Sequence, residues 1–249
     1  LQGIFGAHAY GGRGMYEDRP FADFRSITTL WENVEHFVLL QKYVKTGTID
    51  DLKDLGRKFS IGKRGSGTEG SGEAILQAVG IRPGEDFVAE YLGYTPSAMA
   101  MMDGRITGAN IPAGPPASAV TQLYAQLGEK KVKVLEFTDT HLALINKEYP
   151  LWDRFVIPKG TYPGQTSEIR TISQPNFLAA RADVPEETVY LLTKTIYENL
   201  PFLHGIHQAT RSISLEKALR GLPAPLHPGA VRYYREQGLE IPEHLLETK

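Results

Sequence analysis

One stretch restricts the fold more than any other: Phe59-Ser-Ile-Gly-Lys-Arg-Gly-Ser-Gly-Thr-Glu-Gly-Ser-Gly-Glu-Ala-Ile-Leu-Gln-Ala-Val-Gly80. It reads as strand, glycine-rich turn and helix. Phe59 and Ile61 close a short apolar run, and Gly62, Gly65 and Gly67 let the backbone turn tightly with positive φ. Ser66 and Glu69 have the spacing of a capping box. Ala74, Ile75, Ala78 and Val79 share one helical face, and Gly80 suits the helix end. The first turn of such a helix offers unshared N–H groups and the positive end of its dipole. With the Ser66 and Thr68 hydroxyls it suits a carboxylate or a phosphate. A nucleotide-hydrolysing loop needs Gly-x-x-x-x-Gly-Lys-Ser/Thr. Here Gly67 runs directly into Thr68, and Lys63 and Arg64 lie out of register. Taken alone, the loop is equally compatible with an anion site and with a turn that binds nothing.

The chain around it predicts an α/β protein. Phe37–Leu40, Phe87–Leu92, Arg105–Ile111 and Val132–Phe137 read as strands, and Thr95–Met102 as a helix. Pro112-Ala-Gly-Pro-Pro116 then leads into a helix from Ala117 to Ala125, a second strand-turn-helix junction like the first. The alternation from Phe59 to Phe137 indicates a mainly parallel sheet covered by helices, whose ligands bind beyond the carboxyl ends of the strands. Thr48 with Asp51 opens a short helix through Leu55. Beyond Trp152 the pattern changes to an extended, proline-bearing segment and a strand over Ser173–Ala180. Asp183 and Glu186 are spaced as a capping box for a helix with Val189, Leu192, Ile196 and Leu200 on one face. Leu215–Leu219 and Ala230–Gln237 follow as helices. At the other end Leu1–Phe5 reads as a strand, with Gly6–Gly14 a turn carrying His8 and Tyr10.

Composition excludes several classes. With 27 Lys+Arg against 29 Asp+Glu there is no basic excess for nucleic acid. Zero cysteines remove disulfides, thiolate metal sites and cysteine nucleophiles, which fits an oxidising compartment. No apolar run is long enough to span a membrane, and no signal peptide is read at a start that resembles a strand. His204 and His207 have metal-ligand spacing but no third ligand, so no metal is assigned. Asp50, Asp51 and Asp54 read as a solvated acidic face, and Met99, Met101 and Met102 as core. No convergent base near the loop supports catalysis, so no catalytic residue and no cofactor is assigned.

Phe59-Ser-Ile-Gly-x-x-Gly-Ser-Gly-Thr68 resembles the signature loop of TAXI-type solute-binding proteins of TRAP transporters. Met102-Asp-Gly-Arg-Ile106 before Gly114-Pro-Pro, Ile157-Pro-Lys-Gly-Thr-Tyr162 and Pro225-Leu-His-Pro-Gly-Ala-Val-Arg-Tyr-Tyr-Arg-Glu236 are similar to further segments of that family, in order. Lys63 and Arg64 stand where the family has small residues or proline. The family's first β-α units, with a second anion-binding turn, precede Leu1, so the first lobe is expected to be incomplete. The resemblance implies a two-lobed, type II periplasmic-binding-protein-like receptor with a hinge. Lobe I would hold residues 1–45 and 166–249 and lobe II residues 46–165, with crossings near Leu40–Thr46 and Gln165–Phe177. It implies a periplasmic protein that captures a small organic acid or amino acid, glutamate or dicarboxylate-like, for a TRAP membrane permease. It would neither span the membrane nor do chemistry. The implied ligand residues are Gly65, Ser66, Gly67, Thr68, Gly114 and Pro115, with Gln2, Tyr10, Trp31 and Tyr162 from their places at strand ends or in family-like segments. Two other readings compete: an enzyme on a similar scaffold holding a phosphate or nucleotide, and a ligand-sensing regulatory module.

Overall fold

The structure, a computed structural model, describes residues 2–13, 16–147 and 150–247. In chain order it contains α1 (Gly3–Gly11), β1 (Phe24–Val34), β2 (Phe37–Leu40), β3 (Lys58–Ser60), α2 (Gly67–Ala78), β4 (Val88–Glu90), α3 (Tyr94–Met102), β5 (Gly108–Asn110), α4 (Ser118–Leu127), β6 (Val132–Val134), α5 (Asp139–Ile145), β7 (Asp153–Ile157), β8 (Ile169–Arg181), α6 (Glu186–Glu198), α7 (Leu200–Ile206) and α8 (Pro228–Glu236). The fold is mixed α/β with two sheets, ordered β1-β8-β7 and β4-β3-β5-β2-β6. Two compact units are present, one of residues 1–32 and 174–249 and one of residues 33–173. β1 and β8 each run through a boundary between them. The expected partition placed residues 33–45 with the chain ends, whereas β2 lies inside the five-stranded sheet of the middle unit.

In that middle unit β3 pairs in parallel with β4 and β5, as the alternating pattern predicts. The expectation of a mainly parallel sheet fails at β2, which is antiparallel to both β5 and β6. One face of the sheet packs Val38, Ala109, Ile111 and Val134 against Ala98, Met101, Val120 and Leu123 of α3 and α4. On the other face the Phe37, Phe59 and Phe137 rings meet, with centroids 5.8–6.1 Å apart. Gly108 makes this possible. A Cβ there would come within 2.4 Å of the Val38 carbonyl and 2.7 Å of the Phe59 ring.

The unit formed by the chain ends packs Phe24, Ile27, Phe177 and Leu226 against α6 and α8. Val189, Thr193 and Tyr197 are the buried residues of α6, so the buried stripe is not the Leu192 face expected from the sequence, and Leu192 is exposed. The reason is Gly229. A Cβ at that position would lie 2.2 Å from the Glu186 carbonyl, so α8 lies directly on the backbone of α6 there. Asp183 does not cap α6. It pairs with Arg181 at 2.8 Å, and Pro185 takes the cap position.

The expected opening strand is a helix instead. α1 forms because the Ile4 N–H donates to the Gln174 Oε1 at 2.8 Å and because Gly6 lets it approach Phe177. A Cβ at Gly6 would be 2.5 Å from that ring. The first and last residues of the expected strand-turn segment, Leu1 and Gly14, lie outside the described residues.

Candidate functional site

The glycine-rich turn links β3 to α2. Gly62 and Gly65 have φ of 110° and 70°, while Gly67 is already the first helical residue and needs no positive φ. Gly62 is obligatory in another sense: a Cβ there would lie 2.6 Å from the Thr68 methyl and 2.9 Å from the Glu69 nitrogen. Ser66 is the N-cap, its Oγ accepting from the Glu69 N–H at 3.3 Å. The return half of the capping box is displaced by one residue, because the Glu69 carboxylate accepts from the Gly65 N–H at 2.5 Å. Gly67 and Thr68 head the helix, and their N–H groups have no intrahelical carbonyl to reach. The turn therefore keeps donors at the positive end of α2, beside a carboxylate of its own. Arg64 lies with its guanidinium carbon 3.5 Å from the centre of the Tyr91 ring, a cation–π contact at the edge of the turn. Burial, and secondarily Glu69, raise the Glu73 carboxyl above its ordinary range, and Arg64 opposes them.

Tyr94 joins this turn to the second one. Its hydroxyl is 3.0 Å from Thr68 Oγ1 and donates to the Pro112 carbonyl at 2.7 Å. Burial above all, with the Glu35 carboxylate adding to it, raises the Tyr94 phenol pKa, although the Thr68 hydrogen bond opposes this. The phenol thus stays protonated and remains a donor. Past Pro112 come Gly114 and Pro115, both half-buried, and then the start of α4. The structure brings Thr68 of the turn and Pro112, two residues before Gly114, to the Tyr94 hydroxyl.

Tyr162 belongs to the same unit but is a core residue, 1% exposed. Its hydroxyl accepts from the Ala117 N–H at 3.2 Å and lies 2.6 Å from His36 Nε2. His36 Nδ1 donates to the Val34 carbonyl at 2.9 Å, so Nε2 is the acceptor and the ring is neutral. Burial lowers the His36 pKa from 6.5 to about 4, against smaller opposing contributions from backbone hydrogen bonds.

Gln2, Tyr10 and Trp31 lie in the other unit. Gln2 bridges to Asn176, and its Oε1 is buried without a hydrogen-bond partner. Gln174, wholly buried, holds the Ile4 amide and leaves its own Nε2 without one. Tyr10 stands edge-on to Phe24 at 5.6 Å, and Trp31 packs against the same core. Sequence reasoning missed Tyr94, Asn110 and Gln174. Gly93-Tyr94 is a third strand-to-helix junction, a signal present in the sequence, whereas nothing local marks Asn110 or Gln174.

The remaining candidates divide. Asp51 is buried, not part of a solvated acidic face. It accepts from the amides of Lys45, Thr46 and Gly47 and from the Thr46 hydroxyl at 2.8–3.0 Å. The expected helix after Thr48 is a single 3-10 turn, Ile49–Leu52, as is Leu215–Lys217 farther on. Met101 is buried but Met99 is exposed. His204 lies in α7, while His207 falls beyond its end and accepts from the Ala209 N–H. Among the described residues no group of three His, Cys, Asp or Glu side chains could hold a metal, and no helix is long and apolar enough to cross a membrane. A groove of about 370 Å³ in the middle unit is lined by Lys45, Thr46, Tyr124, Glu129, Lys133 and Gln165, away from the glycine-rich turn.

Residues 1–238 match the model of the NMT1-like family. Among solved structures, the chain is similar to the periplasmic aliphatic sulphonate binding protein SsuA from Escherichia coli, at 15% identity over 95% of this chain and 56% of that one, with a TM-score of 0.39. It is also similar to a TctC solute binding protein from Polaromonas, at 16% identity over 76% of this chain and 58% of that one, with a TM-score of 0.42. The alkanesulfonate-binding protein SsuA from Xanthomonas axonopodis pv. citri, bound to MOPS, shares 14% identity over 95% of this chain and 71% of that one, with a TM-score of 0.39. The chain thus spans little more than half the length of the first two. TM-scores this low assign no ligand to it.

Proposed function

The chain belongs to the NMT1-like family, and from that premise we propose that it is an extracytoplasmic solute-binding protein for a small carboxylate-bearing ligand. One observation carries the proposal. The Tyr94 hydroxyl ties the glycine-rich turn before α2 to the Pro112 carbonyl, where the loop that leads to α4 begins. Free donors at a helix N-terminus suit the binding of an anion. Ser66, Gly67, Thr68, Gly65, Gly114 and Pro115 form the proposed contact set. Gln2, Tyr10, Trp31 and Tyr162 stay in the proposed set on the family resemblance alone.

The finer reading follows the family-like segments: a TAXI-type receptor, periplasmic, closing by a hinge between two lobes and delivering an organic acid or amino acid to a TRAP permease. A thermal-shift screen of organic acids, amino acids and nucleotides tests it. A ligand at a hundredfold excess over Kd adds about 2.7 kcal/mol of stability. Stabilisation by carboxylates, lost in Ser66→Ala with Thr68→Val, is the expected result. Stabilisation by nucleotides alone would overturn the proposal in favour of a phosphate-holding enzyme.

A further inference from the structure

The groove lined by Lys45 lies at the other end of the middle sheet from the glycine-rich turn. β3, β4, β5 and β6 all run in one direction, since β3 is parallel to β4 and β5 while β5 and β6 are both antiparallel to β2. The turn, Tyr94 and the buried Asn110 amide, which has no hydrogen-bond partner at either end, stand at the carboxyl ends of these strands. The groove, of about 370 Å³, opens where β2 ends at Leu40 and β6 begins at Val132.

It has the form of a slot beside an open sheet edge. β6 is the last strand of its sheet. The Gln41 N–H donates to the Lys131 carbonyl and the Leu135 N–H to the Phe37 carbonyl, so by the alternation of an antiparallel pair the Val132 N–H and C=O point away from β2. Among the described residues neither has a partner. Gln165, Ser167 and Ile169 line the groove as well, and two staples join their segment to the flanks of β6. Glu129 accepts from the Thr166 N–H at 3.0 Å and from its hydroxyl at 2.9 Å, and the Phe137 N–H donates to the Arg170 carbonyl at 2.9 Å. A slot fastened at both ends admits a small molecule, not a through-running chain.

The lining selects one kind of molecule. Tyr124, Val132 and Ile169 are buried and Val44 is half-buried, which gives the groove apolar surface. Lys45 and Lys133 supply its positive charge. Asp51 holds Lys45 and Gly47 by their amides, and a Cβ at Gly47 would lie 3.6 Å from Lys133 Cε, so both lysines belong to one fastened piece of the wall. Lys133 reaches Glu136 only at 3.4 Å, and Lys45 forms no ion pair among the described residues. The carboxylate of Glu129, the acidic residue of the lining, is answered by Thr166. One positive charge is left in excess beside apolar surface. We infer that this groove binds a small organic monoanion with an apolar body, of the class of benzoate. Its carboxylate meets the Lys45 and Lys133 ammonium groups and the Val132 N–H, and its body covers Val44, Tyr124, Val132 and Ile169. The lysines repel a cation, and acetate has too little apolar surface to bury. The site is separate from the glycine-rich turn and does not rest on the receptor reading.

Amide NMR titrations of the full chain with benzoate, acetate and benzylamine test it. Benzoate should shift the amides of Lys45, Thr46, Gly47, Val132, Lys133 and Ile169 saturably, and at least tenfold more tightly than acetate or benzylamine does. Lys45→Gln with Lys133→Gln should weaken benzoate tenfold or more while the melting temperature holds. If that pair proves unstable, Lys45→Gln alone, at an exposed position, should weaken it threefold or more. Ser66→Ala with Thr68→Val should leave benzoate binding at the groove unchanged. No saturable shift of these amides at tens of millimolar benzoate overturns the inference and leaves the receptor reading standing. Equal binding of benzylamine overturns it too, because the lysines would then select nothing. Shifts confined to Gly65, Ser66, Gly67 and Thr68 would place the anion at the turn alone, and the inference falls while the receptor reading gains.

Discussion

The Tyr162 hydroxyl lies 2.6 Å from His36 Nε2 and accepts the Ala117 N–H at 3.2 Å, so one phenol braces a buried imidazole and the start of α4. Tyr162→Phe leaves both partners buried and unanswered. The expected loss is about 2 kcal/mol, read as a lower melting temperature, with ligand affinity changed little. Lost affinity at unchanged stability would instead place Tyr162 among the ligand contacts.

His36 makes stability depend on pH with a definite sign. Its pKa is about 4 in the folded protein against 6.5 for an ordinary histidine, so the unfolded chain binds more protons between those values. Its contribution is fully present above about pH 6.5 and is lost as pH falls towards 4. The shift corresponds to about 3 kcal/mol. Burial lowers the His227 pKa too, in the same direction. Denaturant titrations from pH 4.5 to 7.5 should show the slope, and His36→Gln should flatten part of it. A flat profile for the unaltered protein would contradict a neutral His36.

Ser66 has two proposed duties that substitution can separate. As an N-cap its replacement by alanine costs about 1 kcal/mol, whereas glycine costs only a few tenths. Ser66→Gly should thus leave the melting temperature nearly unchanged while weakening ligand binding as much as Ser66→Ala does, by roughly 1.5–3 kcal/mol for a hydrogen bond to a charged group. Equal binding by all three proteins would leave Ser66 as a cap alone.

Asp51 fastens Lys45, Thr46 and Gly47 through four hydrogen bonds. Burial alone would raise its pKa, but the Thr46, Gly47 and Lys45 donors together lower it, so its contribution is present at neutral pH and fades in the acid carboxylate range. Asp51→Asn is expected to cost about 2 kcal/mol, with faster hydrogen exchange confined to the amides of residues 45–47. Uniform exchange would show that the loop does not depend on it.

The parts of this molecule written in contiguous residues were legible. The glycine-rich turn, its Ser66 cap and the alternation of strands and helices from Phe59 to Phe137 follow from spacing that local backbone chemistry enforces. What was illegible depends on distant partners. α1 is a helix because Gln174 and Phe177 receive it, and Ile4-Phe5 before a run of glycines carries no helical signal of its own. Asp51 looked like one of three solvated acids because its donors precede it in a loop with no regular pattern. Asn110 is an ordinary strand residue in sequence, and only the cover of α2 over β5 makes its amide conspicuous. The buried face of α6 was misread by one position, since a glycine on α8, forty residues away, decides which side of α6 is covered.

The antiparallel placement of β2 also sets an order of assembly. Phe37–Leu40 leaves the ribosome before every strand it will pair with, and its last neighbour, Val132–Val134, emerges long afterwards. β3, β4 and β5 can associate as parallel neighbours in the meantime, but one edge of β2 waits for β5 and the other stays without its final partner until β6 is made. During synthesis an apolar ribbon must therefore be kept from pairing with strands of other chains. Its contacts join residues far apart in sequence, so completing this sheet is the slow, late event in folding of the middle unit.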